Sequence, residues 1–216
     1  MPNIDLAKVS SNVSIPPKSS QLVVDSAHEL LTLVGLGVAT AAWASRYEEP
    51  AYTVVSQLGA VEVRDYGPRL YAQVSMPSER DRNADSAFRI LAGYIFNKDT
   101  PSGEAIGMTI PVGQYSDPSE DAWNMWFAMP SRFTMETLPP VTDSRITIQE
   151  QPAQRVAALA FSGRMDTRDF SAQTDELLAS VREAGLTAVG PPTLAVYNGP
   201  LTPGLLRRNE VLVVVE

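Results

Sequence analysis

Residues 87–112 read AFRILAGYIFNKDTPSGEAIGMTIPV, and this stretch decides the fold that the sequence predicts. Its first part carries apolar side chains at i, i+3, i+4 and i+7, which form one stripe along a helix: Phe88, Leu91, Ala92 and Ile95. We predict a helix from Ser86 to about Asn97, with Asp85 as its N-cap. Residues 108–112 alternate apolar with small or polar positions, which predicts a strand. The helix and the strand can therefore bury their apolar faces against each other.

The composition indicates a folded protein and excludes several classes of site. With 44% hydrophobic and 19% charged residues, a chain of 216 residues can bury an ordinary globular core. A formal net charge of −8 argues against nucleic acid as a partner, because phosphate binding requires clustered Lys and Arg. The absence of cysteine excludes disulfides and thiolate sites. The only histidine, His28, is a weak candidate metal ligand.

Residues 1–47 are predicted to be a leader with a distinct apolar segment. Residues 30–44 read LLTLVGLGVATAAWA, an uncharged block that is shorter than the roughly 18 residues that a membrane-spanning helix requires. The block fits the core of a signal peptide, a membrane-surface anchor, or a helix docked on the protein itself. Asp25 and Glu29 precede it, where a signal peptide carries positive charge.

The rest of the chain shows one pattern of elements twice. Two predicted strands, a helix and two more strands occur in each half, and the second helix begins at Thr167 or Asp169. Residues 61–64 superimpose on residues 146–149 after a displacement of about 85 positions, a size that suggests a duplicated unit. We therefore predict an α+β fold over residues 48–216. Two ββαββ units would form a distorted eight-stranded antiparallel barrel with two flanking helices.

A series of short motifs runs through residues 48–216 in a characteristic order. The motifs are Glu49-Pro50-x-Tyr52-x-Val54, Val61-Glu-Val63-Arg-x-Tyr66, Phe88-x-x-Leu91-x-x-Tyr94-Ile95, Met108-Thr-x-Pro111-Val112, Trp123-x-Met125-x-Phe127-x-Met129-Pro130, Phe161-Ser-Gly163, Thr202-Pro203 and Arg207-Arg-Asn-Glu-Val211. This order resembles the SOUL/heme-binding protein family. More distantly, the chain resembles the effector-binding domains of GyrI-type regulators. We interpret Arg207 and Arg208 as a structural salt-bridge site and not as a phosphate clamp.

The resemblance implies binding of heme or another tetrapyrrole in a mostly apolar pocket. The predicted pocket residues lie on the first helix and on the neighbouring strands: Phe88, Leu91, Tyr94, Ile95, Met108, Met125 and Phe127. Methionine suits such a pocket because its side chain is flexible and polarisable. Lys98, Arg69 and Arg132 are candidates to bind the ligand's carboxylates. The alternative interpretation is that these apolar stripes are simply core and that these cations are solvated.

The sequence limits the side chains that could ligate iron and shows no catalytic constellation. Residues 48–216 contain no histidine, so iron would use methionine, Tyr94, His28 or no side chain. We expect loose, chiefly hydrophobic binding for storage, transport or sensing, without catalysis, because no convergent acid–base pair is evident. The alternatives are an interaction module that uses residues 30–44 on a membrane or partner, and a small-molecule effector-binding domain. A cytoplasmic location is favoured, with export or membrane association as alternatives.

Overall fold

A computed structural model describes residues 47–77, 80–97, 105–163 and 167–216. The predicted leader, apart from Tyr47, lies outside these residues, as do its apolar segment 30–44, His28 and Lys98. In the part of the chain that is described, no helix combines the length and apolar character needed to cross a membrane.

The described residues form an α+β domain, which confirms the predicted class. The elements in chain order are β1 (Tyr52–Leu58), β2 (Val61–Tyr66), β3 (Arg69–Pro77), α1 (Arg80–Phe96), β4 (Val112–Asp117), β5 (Ala122–Ala128), β6 (Ile146–Gln151), β7 (Gln154–Phe161), α2 (Thr167–Glu183), β8 (Ala188–Val196), a short 3-10 helix (Gly204–Leu206) and β9 (Asn209–Val215).

All described strands join one antiparallel sheet in the order β1-β2-β7-β9-β8-β4-β5-β3-β6. The predicted eight-stranded barrel is wrong, because the sheet has nine strands in the described residues and is open at β1 and β6. Apart from β1, the order is symmetric about the β8–β4 pair. In these labels the two proposed units are β2-β3-α1-β4-β5 and β6-β7-α2-β8-β9. The first strand of each unit pairs with the second strand of the other: β2 pairs with β7, and β6 pairs with β3. The duplication itself stays an interpretation.

Two local predictions in the opening stretch need correction. Helix α1 begins at Arg80, so Asp85 lies inside the helix and is not its N-cap, although the end at Phe96 agrees with the prediction. The predicted strand over residues 108–112 is wrong, since only Val112 belongs to β4. Thr109 makes only an isolated bridge with Glu48. Pro111 lacks the N–H group that a strand ladder requires.

Both helices cover the same face of the sheet. Gln114 pairs with Leu194, and Leu194 pairs with Val211, so these three residues share a face. Beneath α1, the core includes Ala72, Val74, Leu91, Ile95, Trp123, Met125 and Phe127. Beneath α2, it includes Val61, Val63, Leu159, Leu177, Val181, Val211 and Val213. Neither helix of the described residues packs on the opposite side of the sheet, which we call the helix-free face and which carries Tyr71, Trp126, Ala128 and Tyr115.

Candidate functional site

Most of the predicted pocket residues lie together in the core beneath α1. The buried members of the set, with their exposed fractions, are Leu91 (0%), Tyr94 (7%), Ile95 (1%), Met125 (2%) and Phe127 (1%). Met108 is partly buried and packs against the same cluster. Trp123, Met125, Phe127 and Met129, which occupy every second position from residue 123 to 129, all belong to this cluster. Because these side chains fill the core, their role as a ligand wall stays a prediction.

Phe88 and Tyr94 differ from the expected arrangement. Phe88 is 39% exposed, because the buried side of α1 is centred on Ala87 and Leu91 and not on Phe88. The Phe88 ring contacts the ring of Phe127 edge-on, with 5.3 Å between centroids. The Tyr94 hydroxyl donates to the carbonyl of Pro139 at 2.6 Å. Burial raises the pKa of Tyr94 to about 12, so its hydroxyl is protonated near neutral pH when no metal is bound.

The helix-free face contains an open cavity with an aromatic floor. Its volume is about 380 Å³, and its lining includes Tyr66, Arg69, Tyr71, Gln73, Tyr115, Trp126, Gln149, Gln154, Thr193 and Leu212. The rings of Tyr71 and Trp126 stack, with centroids 4.0 Å apart and planes inclined by 5°. Both rings are buried, Tyr71 at 8% and Trp126 at 6% exposed, so each presents only a small part of its surface to the cavity.

The position of Trp126 depends on Gly113 in the neighbouring strand. Gly113 in β4 pairs with Trp126 in β5, and the indole lies against the glycine backbone. A Cβ atom at residue 113 would lie 1.9 Å from Cε2 of Trp126, far inside van der Waals contact. The indole is therefore held between the backbone of Gly113 on one side and the ring of Tyr71 on the other.

Polar side chains beside the aromatic floor satisfy one another. The Gln73 amide donates to Oδ1 of Asn124 at 3.1 Å, and the Ser75 hydroxyl donates to the same oxygen at 2.5 Å. The Tyr115 hydroxyl donates to Oε1 of Gln73 at 3.2 Å. These bonds fix the side chains at the edge of the cavity.

A second cavity adjoins the first. It has a volume of about 940 Å³ and shares Glu49, Pro50 and Arg69 with the cavity on the helix-free face. Its other lining residues include Leu70, Met129, Phe133, Met135, Glu136 and Glu150. Arg132 does not line either cavity; its guanidinium donates to the carbonyl of Ile106 at 2.6 Å and lies over the ring of Phe133.

A buried ionic network holds the other half of the helix-free face together. Glu210 in β9 is 1% exposed and accepts two hydrogen bonds from Arg64 in β2, at 2.7 and 3.0 Å. Tyr197 and Arg208 donate to the same carboxylate at 2.7 and 2.9 Å. Arg208 also pairs with Glu49 at 3.0 Å, which confirms its predicted structural role. Because Glu210 has donors on both oxygens, we assign it to structure and not to catalysis.

The network makes stability depend on pH. Burial by itself would raise the pKa of Glu210, but the hydrogen bond from Arg64 and the charges of Arg208 and Arg64 hold the pKa below its ordinary value. The folded state therefore binds this proton less tightly than the unfolded state does. The resulting stabilisation is complete well above the ordinary carboxyl pKa and is lost as the pH falls through the lowered pKa.

We expect the free energy of unfolding of the wild-type protein to fall between pH 6 and pH 3 more steeply than that of the Glu210→Gln variant, which has no proton to bind at this position. Denaturant unfolding at a series of pH values measures the difference. Equal slopes in the two proteins would contradict the lowered pKa of Glu210.

The sequence alone did not identify Tyr71, Gly113 or Trp126 as site residues. A signal was present in β5, where Trp126 and Ala128 are apolar on the side opposite Met125 and Phe127. A strand that is apolar on both sides needs cover on both sides, or a ligand on one of them. Among the described residues, no group of three or more His, Cys, Asp or Glu side chains is arranged to hold a metal ion.

Comparisons with solved structures identify proteins with a similar fold. The chain is similar in structure to a hydrolase from Listeria innocua (12% identity, TM-score 0.54, covering 75% of this chain and 94% of that one). It is also similar to the C-terminal domain of EcmrR (13% identity, TM-score 0.54, covering 76% of this chain and 98% of that one). A third similar structure is an uncharacterized conserved protein from Listeria innocua (13% identity, TM-score 0.54, covering 72% of this chain and 92% of that one). At these identities the similarity shows the fold alone.

The sequence comparisons are more specific. A search of curated protein sequences found no match. A family model described as SOUL heme-binding protein matches residues 47–214, which is most of the chain and includes all the strands of the sheet except the last residue of β9. The chain therefore belongs to the SOUL heme-binding protein family.

Proposed function

We propose that this protein binds heme or a related tetrapyrrole on the helix-free face, without transforming it, for storage, transport or sensing. The observation that carries the proposal is membership of a heme-binding family over residues 47–214. The location is our inference from the geometry. A separate interaction role for residues 30–44 stays a prediction, because the structure does not describe that segment.

The shape and chemistry of the helix-free cavity suit a flat macrocycle. A tetrapyrrole is flat and largely apolar, and the parts of Tyr71 and Trp126 that line the cavity would contact it. The volume of about 380 Å³ lies within the usual range for small-molecule sites, and the adjoining cavity extends the space. By contrast, the side chains beneath α1 are packed together, so a ligand would have to displace core residues to reach them.

The lining residues favour binding over catalysis. Two carboxylates line the cavity, and both have partners: Glu49 pairs with Arg208, and Asp117 accepts hydrogen bonds from Ser119. Neither is available as a free general acid or base in this arrangement. The proposal therefore gives the protein a binding role, with the protein supplying a shaped surface and the ligand remaining unchanged.

The tyrosines that line the cavity are neutral when no ligand is bound. Burial raises the pKa of Tyr66 to about 12 and also raises the pKa of Tyr71 and Tyr115, so these hydroxyls stay protonated near neutral pH. Heme would bring its own redox and ligand-binding chemistry, while these side chains would hold the ring through its faces and edges.

A hemin titration of the full chain, followed in the Soret band, tests the proposal. We expect a saturable shift, and we expect Trp126→Leu to weaken binding about 10-fold, the loss of about 1.4 kcal/mol of ring contact. Phe96→Ala is the matched control, since Phe96 is 53% exposed on α1, away from the cavity lining. Its affinity should equal that of the wild type.

Two further results separate the function from its location. If Phe88→Ala weakens hemin binding and Trp126→Leu does not, the ligand lies at α1 and the helix-free location is wrong. If the wild-type protein gives no saturable shift with hemin or with metal-free protoporphyrin IX, the tetrapyrrole function itself is wrong. Thermal unfolding of each variant shows whether a lost affinity reflects a lost fold.

A further inference from the structure

Arg69 has an unusual electrostatic position at the junction of the two cavities. It begins β3, is partly buried and lines both cavities. Four other arginines contact carboxylates, namely Arg64, Arg145, Arg155 and Arg208. Within the described residues, the hydrogen bonds of Arg69 go only to uncharged acceptors. Its positive charge is therefore not neutralised by a neighbouring side chain.

Three hydrogen bonds fix the orientation of the Arg69 guanidinium. Nε donates to the hydroxyl of Tyr71 at 2.6 Å, Nη1 donates to the carbonyl of Gly67 at 3.1 Å, and Nη2 donates to Oε1 of Gln154 at 3.1 Å. The same group lies over the ring of Tyr66, with its carbon 4.6 Å from the ring centroid. A guanidinium has five N–H groups, so each terminal nitrogen keeps one that these bonds do not use.

Among the described residues, no carboxylate forms an ion pair with this guanidinium, although Glu48, Glu136 and Glu150 line the second cavity together with it. Burial raises the pKa of Tyr71, and although Arg69 opposes this shift, the hydroxyl stays neutral at physiological pH. Glu49 also lines both cavities, but both of its oxygens accept hydrogen bonds from Arg208. A preorganised cation in a partly desolvated wall binds an incoming carboxylate more strongly than a solvated surface cation does, because its orientation is already fixed and no ion pair must first be broken.

We propose that Arg69 is the carboxylate receptor of the helix-free face, so that this site selects planar ligands that carry a free carboxylate at the ring edge. This inference rests on the proposed function and adds its recognition chemistry. The ring would pack on Tyr71 and Trp126, while the carboxylate would accept hydrogen bonds from the unused N–H groups of Arg69. The competing view is that Arg69 only ties β3 to β7 through Gln154.

Protoporphyrin IX and its dimethyl ester separate these views, because they share one ring and differ only in the free carboxylates. We expect the wild-type protein to bind the free acid about 10- to 100-fold more tightly than the ester, as measured by porphyrin fluorescence. In Arg69→Gln, the affinity for the acid should fall to that for the ester, and the affinity for the ester should not change. Arg132→Gln, which removes an exposed arginine outside both cavities, should preserve the wild-type preference.

The outcomes distinguish this inference from the proposed function. Equal binding of acid and ester by the wild-type protein would overturn the role of Arg69 and leave tetrapyrrole binding intact. A preference for the acid that survives in folded Arg69→Gln would also overturn it. Because the acid–ester comparison is made on the wild-type chain, it stays decisive even if Arg69→Gln does not fold. Failure of both porphyrins to bind would refute the proposed function, and this inference with it.

Discussion

We expect Glu210→Ala to lower the free energy of unfolding by about 3–5 kcal/mol, one of the largest effects of any single substitution in this chain. The carboxylate is 1% exposed and accepts both hydrogen bonds of a bidentate contact with Arg64. Arg64 is itself buried, at 3% exposed, and its remaining carboxylate partner, Glu62, lies at the edge of the network. The variant therefore leaves a buried guanidinium without its main counter-charge, and the cost of that desolvated charge dominates the loss.

Urea unfolding of wild type and variant measures this effect, and the exposed ion pairs provide the control. Asp143 pairs with Arg145 at 2.6 Å, but the Arg145 side chain is 61% exposed. Removing Asp143 should change stability far less, because water replaces the lost partner. Replacing Arg64 and Glu210 together by apolar residues should recover much of the loss, since neither charge then remains buried alone. A Glu210→Ala variant as stable as the Asp143→Ala variant would show that Arg64 finds another partner.

The sequence predicted the secondary structure well where one face of an element is buried. The period of 3.6 in α1 follows directly from burial on one side, whereas β5 is buried on both sides. The order of the strands was not predictable in the same way, because β2 pairs with β7 across about 90 residues and no local pattern encodes that choice. The sheet is not closed into the predicted barrel, and β1 and β6 form its edges.

The candidate site was harder to predict than the fold. An apolar stripe such as Leu91 and Ile95 looks the same in sequence whether it faces a ligand or a core, and the structure places it in the core. Arg69 was identified from the sequence only as one cation among several. What distinguishes it is the lack of a carboxylate partner among the described residues, together with its place in the wall of both cavities. These two features depend on tertiary contacts, and the spacing of residues along the sequence does not encode them.

Gly113→Ala should be severely destabilising and should also weaken ligand binding. The added Cβ would lie 1.9 Å from Cε2 and 2.0 Å from Cζ2 of Trp126, so the indole must move. The far side of the indole is occupied by Tyr71, stacked at 4.0 Å, and a shift therefore disrupts the stack as well. Overpacking of a fitted interior costs about 1–3 kcal/mol, and a clash with a rigid ring flanked on both sides belongs at the upper end of that range.

Gly93 in α1 provides a matched control for this substitution. Nothing lies within 4 Å of a Cβ built at Gly93, and alanine favours a helix, so Gly93→Ala should raise stability by about 0.5–1 kcal/mol. The same change from glycine to alanine is thus expected to have opposite signs at two positions. Urea unfolding measures both, and near-ultraviolet circular dichroism reports the environment of the indole.

The double variant Gly113→Ala with Trp126→Leu tests whether the clash with the Trp126 indole causes the loss of stability. Leucine is smaller and can move away from residue 113, so the double variant should be more stable than the sum of the two single losses predicts. Hemin affinity should not recover in parallel, because the aromatic surface is then absent. Stability without affinity in the double variant would separate the packing role of Gly113 from the binding role of Trp126. Strict additivity of the two losses would contradict the contact between them and, with it, the aromatic floor on which the proposed location depends.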